Sequence, residues 1–402
     1  MTMKLRNRLL ALACFLLFLT LGGLIFLTSG PKKPFAIVLF ITDNLNPACL
    51  TATRIYTGGG EARLKMEELP NTALCRNSSS DFSVPDSAAA ATEIASGSKT
   101  QNGRLCLDAS GSKLNSLLET AALKGRATGL ITTGGLFSPS AAAFFAKSAD
   151  PSNIKDLQEQ FRTHAPFDMV VAFSDDRNFD TTMIPKESQI IRLPGDLESF
   201  PFWKRNPMVA LLPSPSNQDG VTPDESLTLS DLVRIAIRRL QLNSNGYLLV
   251  VDDPEVGRAA SANDGEKMFR QLSAFDKALA TARRYAGENA MIIVTGRENI
   301  GGLQLSSQPF LHDKGVAVIA LNNTGSPSLC WSTGPGYAVQ TTQEGKSKKG
   351  PLGILTQPSA FTLPKANPTA GDVMTMGVGQ GTDKIHGFLN LGDIHRFIDE
   401  GL

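Results

Sequence analysis

The chain begins with an apolar run and continues as short apolar segments separated by amphipathic ones. The two segments Leu227–Leu242 and Lys267–Tyr285 carry apolar side chains at helical spacing, which predicts amphipathic helices. Strands that alternate with helices predict an α/β fold with a mostly parallel central sheet and helices on both faces. The segments predicted as buried strands, because they are almost continuously apolar, are 35–42, 128–133, 169–173, 247–251 and 291–295.

The first apolar run, Leu9–Thr28, follows three basic residues within the first eight positions. A helix of about 20 apolar residues can span a bilayer, and basic residues before it favour a cytoplasmic N-terminus. The pattern predicts an uncleaved signal anchor and short stalk over residues 1–34, with a body at 35–402 on the extracytoplasmic (periplasmic) side. Cleavage of the run and export of the body is the alternative.

Composition narrows the class of the body. A hydrophobic fraction of 42% excludes wholesale disorder, and a formal net charge of +1 argues against nucleic acid as a partner. Stretches rich in proline and serine, Leu212–Asp224 and Lys346–Asn367, are predicted to be surface insertions rather than linkers between domains. We therefore expect a single α/β domain after residue 34.

Four cysteines, Cys49, Cys75, Cys106 and Cys330, lie beyond the N-terminal run, and their spacing matches no zinc pattern. Cys75 and Cys106 can pair in an oxidising compartment. Free, buried thiols are the equally plausible alternative.

Charged side chains follow several predicted strands. Asp43 comes after the first strand, Asp252 and Asp253 after the fourth, and Arg297 and Glu298 after the fifth. Ligands of parallel sheets bind beyond the carboxyl ends of the strands, and carboxylates that meet there suit a hard cation such as Mg²⁺. For each aspartate taken alone, a cap on the following helix is the alternative.

The segment 84–103 reads VPDSAAAATEIASGSKTQNG. Ser87 precedes the helix-forming run Ala88–Ala95, so it is expected at or next to a helix N-terminus, where backbone N–H groups and the helix dipole stabilise an anion. A serine there can attack phosphorus if its proton is removed or a metal holds it as alkoxide. An ordinary N-cap serine is the alternative.

Several segments in sequence order resemble alkaline phosphatases from about Phe35 to the C-terminus. They read FAIVLFITDNLNPACLTATRIY, VPDSAAAATEIASGSKTQNG, ITTGGLFSPSAAAFFA, GYLLVVDDPEVGRAASAND and MIIVTGRE. The resemblance implies an alkaline-phosphatase-like fold over 35–402, hydrolysis of phosphate monoesters with Zn²⁺ and Mg²⁺, and, from the family alone, a homodimer.

Individual roles also follow from the resemblance. Ser87 matches the nucleophilic serine of the family's P-D-S motif, and Asp43 matches an aspartate that bridges metal ions. Magnesium ligands fall at Ser140, where the family usually has Thr, and at Asp252, where it usually has Glu.

The zinc ligands of the family are not matched. Their positions fall near Gly257 and Ser261, at Arg297 and Glu298, and at Pro368 and Thr369. The chain has four histidines, none at a matching position: His164, His312, His386 and His395. Because histidine supplies the nitrogen ligands that Zn²⁺ prefers, the resemblance implies an impaired phosphatase that lacks most zinc ligands.

Three interpretations of the remaining residues stay open. Arg297 can hold a phosphorylated or sulfated ligand beside Ser87 without turning it over. A single Mg²⁺ on Asp43, Asp252 and Ser140 can support weak hydrolysis, with Glu298 or Asp253 as a further oxygen ligand or base. Finally, Arg297 and Asp43 can form a structural ion pair in a membrane-anchored scaffold.

Overall fold

A ten-stranded central sheet with helices on both faces forms the body of the protein. The computed structural model describes residues 3–28, 33–173, 181–204, 206–213, 227–305, 328–336 and 357–402. Its helices are α1 (Met3–Thr28), α2 (Pro47–Gly58), α3 (Ser87–Ser96), α4 (Leu117–Leu123), α5 (Pro139–Ala142), α6 (Ile154–His164), α7 (Pro194–Ser199), α8 (Leu229–Leu240), α9 (Glu255–Ser261), α10 (Gly265–Ala286) and α11 (Leu391–Gly401). Its strands are β1 (Ala36–Thr42), β2 (Asn71–Arg76), β3 (Ala127–Thr132), β4 (Met169–Phe173), β5 (Gln189–Ile191), β6 (Met208–Leu212), β7 (Tyr247–Asp253), β8 (Met291–Gly296), β9 (Asn299–Ile300), β10 (Gln304–Leu305), β11 (Leu329–Gly334), β12 (Ser359–Thr362), β13 (Pro368–Thr369), β14 (Val373–Val378) and β15 (Gly387–Asn390).

The strands of the large sheet lie in the order β15-β2-β14-β8-β1-β7-β3-β4-β6-β5. Pairing is parallel except for β14, which runs antiparallel to both β8 and β2. Successive side chains of β1 enter opposite cores. Phe40 packs edge-on against Phe275 of α10, whereas Leu39 belongs to the core that also contains Ile94 of α3 and Ile394 of α11. The predicted α/β class, with a mostly parallel sheet covered on both faces, is confirmed.

The five predicted strands and two predicted helices are present, with ends shifted by two residues or fewer. The apolar pattern missed β2 and β14, because partly or fully exposed side chains interrupt the buried ones along β2, and partly buried and polar residues interrupt them along β14. Leu212 ends the buried strand β6, so the predicted surface insertion was wrong at its first residue. Residues 214–226 lie outside the described residues. Of the second stretch, 346–356 lie outside them, and the remainder contributes β12, which pairs with β11.

The N-terminal run forms the helix α1, on which Leu17 and Phe18 are exposed. Within the described part of the chain, no helix has the combination of length and hydropathy required to cross a membrane.

The thiols of Cys75 and Cys106 are free and buried, so the alternative to a disulfide is confirmed. Sγ of Cys106 donates to the carbonyl oxygen of Ala143 at 2.9 Å, and Sγ of Cys75 lies 3.0 Å from Oγ1 of Thr375.

Candidate functional site

The carboxyl ends of three adjacent strands bring the predicted site residues to one edge of the sheet. In the parallel register, Thr42 at the end of β1 is opposite Asp253 of β7 and Gly296 of β8. The residues that follow each strand therefore converge. This convergence is what the polar strand ends in the sequence predicted.

Arg297 lies between two of these carboxylates. Its Nη2 donates to Oδ2 of Asp43 at 2.8 Å, and its Nη1 donates to Oδ1 of Asp252 at 2.7 Å. The three side chains are at most 3% exposed. One guanidinium thus bridges two buried carboxylates, with hydrogen-bond geometry typical of a strong, charge-assisted pair.

Local backbone structure explains why Asp43 points at Arg297. The next residue, Asn44, adopts a left-handed conformation with φ of 56°, which asparagine tolerates better than most residues. Its backbone N–H donates to the carbonyl oxygen of Glu298, and its side chain bonds to both the N–H and the carbonyl of Ile300. The backbone N–H of Arg297 donates to the carbonyl oxygen of Thr42. These bonds fasten the end of β1 to the segment that carries Arg297.

Both side-chain oxygens of Asp252 accept hydrogen bonds. Its second oxygen, Oδ2, accepts hydrogen bonds from Oγ of Ser140 at 2.9 Å and from Oγ1 of Thr132 at 3.0 Å. The helix-cap alternative is therefore wrong for Asp252, and it is also wrong for Asp43, because Asn46 caps the helix after β1. Asp43, Asp252 and Ser140, the three predicted magnesium ligands, do lie in one cluster with Arg297.

Ser87 is the first residue of α3, and Asp86 is its N-cap, accepting from the N–H of Ala89 at 2.8 Å. The other oxygen of Asp86 accepts from the N–H of Gly103 at 2.6 Å, so the cap also holds the following loop. The expected position of Ser87 at a helix N-terminus is confirmed. Its hydroxyl donates to Oε1 of Glu298, the residue next to Arg297.

The site contains more buried carboxylate than its guanidinium can neutralise. Burial raises the pKa of Asp43 to about 8, although Arg297 lowers it. Burial likewise raises the pKa of Asp253 to about 7 and raises that of Glu298. Burial lowers the pKa of Arg297, but the surrounding carboxylates outweigh burial and raise it above its ordinary value. Arg297 therefore stays charged, and Asp43 and Asp253 take up protons near neutral pH.

This arrangement does not fit a metal ion. Arg297 and two hydroxyl groups occupy both oxygens of Asp252, which leaves Oδ1 of Asp43 as the unpartnered oxygen of that pair. Among the residues that the structure describes, no group of three or more His, Cys, Asp and Glu side chains is placed to hold a metal. His395 contacts the carbonyl of Ala95, towards the opposite end of α3 from Ser87, and His312 lies outside the described residues.

Gly257 of α9 packs directly against the carboxylate of Asp43. A Cβ atom added at Gly257 would lie 2.1 Å from Oδ2 of Asp43, well inside van der Waals contact. The absence of a side chain at this position lets α9 approach the carboxylate that Arg297 binds.

Sequence reasoning missed Thr132 as a partner of Asp252, and it named Glu298 without its pairing to Ser87. Thr132 is the last residue of β3, so the strand-end rule that singled out Asp252 also applies to it. The pairing of Ser87 with Glu298 joins residues 211 positions apart, and no local pattern signals such a contact.

Relatives of the chain are alkaline phosphatases. The tissue-nonspecific enzyme of Gallus gallus is 23% identical over 378 residues, covering 75% of this chain and 71% of the relative. Alkaline phosphatase 4 of Bacillus subtilis is 22% identical over 341 residues, covering 79% and 70%. The membrane-bound alkaline phosphatase of Bombyx mori is 24% identical over 371 residues, covering 76% and 68%.

Solved alkaline phosphatases share the fold. The enzyme of the Antarctic bacterium TAB5 superposes with a TM-score of 0.68 at 18% identity, covering 92% of this chain and 98% of its own. The Thermus thermophilus enzyme gives 0.68 at 17% identity, covering 93% and 94%. A mutant of the Antarctic enzyme has Mg bound. The family of alkaline phosphatases matches residues 35–172 and 211–401, more than half of the sequence, and the chain belongs to that family.

Proposed function

We propose that this protein is an alkaline-phosphatase family member in which Arg297 takes the place of a catalytic metal ion, and that it does not hydrolyse phosphate monoesters efficiently. The observation that carries the proposal is the buried bridge from Arg297 to Asp43 and Asp252. A fixed guanidinium offsets part of the negative charge of the two carboxylates, and uptake of a proton by Asp43, whose pKa burial raises to about 8, offsets more of it.

Charge balance alone does not supply the chemistry. Two-metal phosphatases stabilise both the attacking and the leaving oxygen, and a metal ion also lowers the pKa of bound water. The two terminal nitrogens of Arg297 already donate to carboxylates, and its Nε is buried without a partner among the described residues. A guanidinium cannot coordinate an oxygen, so Arg297 cannot lower the pKa of Ser87 or of water as a bound metal ion does.

The surroundings of Ser87 also oppose turnover. Its hydroxyl donates to Glu298, whose carboxylate, when ionised, repels an incoming phosphate dianion. Transfer of the Ser87 proton to Glu298 would neutralise the carboxylate but create an alkoxide, so the single negative charge that opposes the phosphate would remain. The hydrogen bond of Ser87 to Glu298 and the negative charge beside it therefore favour a site whose polar side chains pair with one another over a site that binds phosphate.

The same contacts weigh against the other two interpretations. Capture of a phosphate by Arg297 requires the anion to reach a guanidinium that is 1% exposed and lies between two carboxylates, whose negative charge repels it. Binding of Mg²⁺ by Asp43, Asp252 and Ser140 requires the guanidinium to leave both carboxylates. The structural ion pair is thus the interpretation that the contacts support best.

The proposal is tested by phosphate release from p-nitrophenyl phosphate with added Zn²⁺ or Mg²⁺. We expect the wild type and the Ser87→Ala variant to release phosphate at the same background rate, with or without metal. The Thermus thermophilus enzyme serves as the positive control. Metal-dependent release that disappears in Ser87→Ala would refute the proposal.

For the N-terminal segment, we infer an anchor at residues 1–34 that holds the body outside the cytoplasm. The exposed apolar side chains of α1, such as Leu17 and Phe18, support a lipid contact. Deletion of residues 1–34 should move the protein from the membrane to the soluble fraction. An unchanged distribution would contradict the anchor.

A further inference from the structure

A cavity of about 520 Å³ opens at the edge of the sheet opposite the site formed by Asp43, Ser87, Asp252 and Arg297, which is called the family site below. Its walls come from the residues that precede β3, β4, β6 and β7, including Gly125, Asp168, Lys204 and Asn245. Strand β7 separates the two edges, and its seven residues span about 20 Å. The volume falls within the range of small-molecule sites.

A buried cation lines this cavity. Arg239, at the end of α8, is 7% exposed. Its Nη2 donates to the carbonyl oxygen of Asn206, but its Nη1 is buried with no hydrogen-bond partner in the described part of the chain. A buried charged donor without an acceptor is costly, so this atom favours an acceptor supplied by a ligand.

The charges of the lining favour an anion. Lys204 adds a second cation, on an exposed side chain. The carboxylate of Asp168 already accepts from the backbone N–H of Thr128 at 2.8 Å, which commits one of its oxygens to the protein. Burial lowers the pKa of Arg239, while the nearby carboxylate of Asp168 raises it by attracting the guanidinium. Two cations against this one carboxylate leave the lining with a net positive charge.

An apolar wall completes the cavity. Leu240, Leu242 and Phe202 line it beside the cations, and the guanidinium of Arg238 stacks 5.0 Å from the ring centre of Phe202. This cation–π contact holds the ring of Phe202 in place through Arg238, so Arg239 is not needed for it. The lining thus joins a flat apolar surface to two positive groups.

We propose that this cavity is a second ligand site, distinct from the family site, which binds a small organic anion: Arg239 and Lys204 hold a phosphonate, phosphate or carboxylate group, and Phe202, Leu240 and Leu242 contact its apolar body. Nothing in this assignment depends on whether Ser87 is active. The site explains the unpartnered Nη1 of Arg239, for which the described residues supply no hydrogen-bond acceptor.

The probe is phenylphosphonate, which is an aryl dianion that cannot be hydrolysed as an ester, titrated calorimetrically into the full-length protein. Loss of one charged hydrogen-bond donor should weaken binding roughly tenfold in Lys204→Gln and in Arg239→Gln. Because Arg239 also holds Asn206, the exposed Lys204 provides the variant that leaves the core intact. Lys277→Gln, on the exposed side of α10, and Ser87→Ala should bind as the wild type does.

Benzyl alcohol, which has the ring without the charge, should bind at least tenfold more weakly than phenylphosphonate. Three results would overturn the assignment: no binding of phenylphosphonate to the wild type, equal binding of benzyl alcohol, or unchanged affinity in both cavity variants. Loss of binding in Ser87→Ala alone would place the anion at the family site instead and would equally refute it.

Discussion

Nη2 of Arg297 lies 2.8 Å from Oδ2 of Asp43, and both side chains are buried at the junction of two parallel strands. Asp43 leaves β1 one residue after Thr42, and Arg297 leaves β8 one residue after Gly296, its register partner. The contact is thus set by the sheet itself. It ties Asp43, for which the sequence resemblance predicts a metal-bridging role, to a cation that cannot bind metal.

Arg297→Ala should strongly destabilise the protein. The change leaves Asp43 and Asp252 buried without their cation, and breaking a buried pair from one side costs about 3–5 kcal/mol. Urea unfolding of the wild type and the variant measures the difference. The matched control is Arg258→Ala, because Arg258 is 60% exposed and pairs with Glu255 at the surface, where such pairs contribute about 1 kcal/mol or less. Equal losses in both variants would contradict a buried role for Arg297.

Gly257→Ala should also destabilise the protein, because its Cβ atom would lie 2.1 Å from the carboxylate of Asp43. Overpacking of this kind costs about 1–3 kcal/mol. Gly135→Ala is the control, since a Cβ at Gly135 meets no atom within 4 Å. If thermal unfolding shows the same midpoint for both variants, α9 does not pack against Asp43 as described.

Asp253→Asn should stabilise the protein at alkaline pH. Burial raises the pKa of Asp253 from 3.8 to about 7, so between these values the folded protein holds a proton that the unfolded chain has lost. Stability contributed by this group is therefore present at low pH and falls as pH rises from about 4 to about 7.

Asparagine stays neutral over this pH range. The free energy of unfolding of the variant should therefore rise relative to that of the wild type as pH rises, by an upper limit of about 4 kcal/mol at pH 8. Melting curves at pH 5 and pH 8 measure the gain. A difference between the two proteins that does not change with pH would show that Asp253 does not titrate as described.

The buried thiols should resist alkylation until the protein unfolds. Burial raises the pKa of Cys49, Cys75 and Cys106 to about 12, whereas Cys330 is only partly buried. Iodoacetamide and mass spectrometry of the native protein should find label at Cys330 well before the other three. After denaturation without reductant all four should react. A requirement for reductant at Cys75 and Cys106 would reveal a disulfide.

Much of this architecture could be predicted from the sequence, for physical reasons. The strands that carry the site are buried on both faces, so β1 and β7 are continuous apolar runs whose ends are visible in the sequence. The position of Ser87 follows from the residues around it, because helix starts depend on local chemistry.

The rest depended on contacts between distant parts of the chain. Strands β2 and β14 are not continuously buried and apolar, so composition does not mark them as strands. The sequence placed Arg297 near Asp43, but the bridge to Asp252 depends on the register of β8 against β1 and of β1 against β7. The cavity beside Arg239 depends on four loops that no single segment defines.

The metal content of the purified protein tests the replacement of a metal ion by Arg297 most directly. The wild type and Arg297→Ala are dialysed against buffered Zn²⁺ and Mg²⁺, and bound metal is counted by mass spectrometry. Near-zero metal in the wild type, with uptake in Arg297→Ala where Asp43 and Asp252 are free to act as oxygen ligands, is the predicted result. One or more tightly bound ions per wild-type chain would contradict the account.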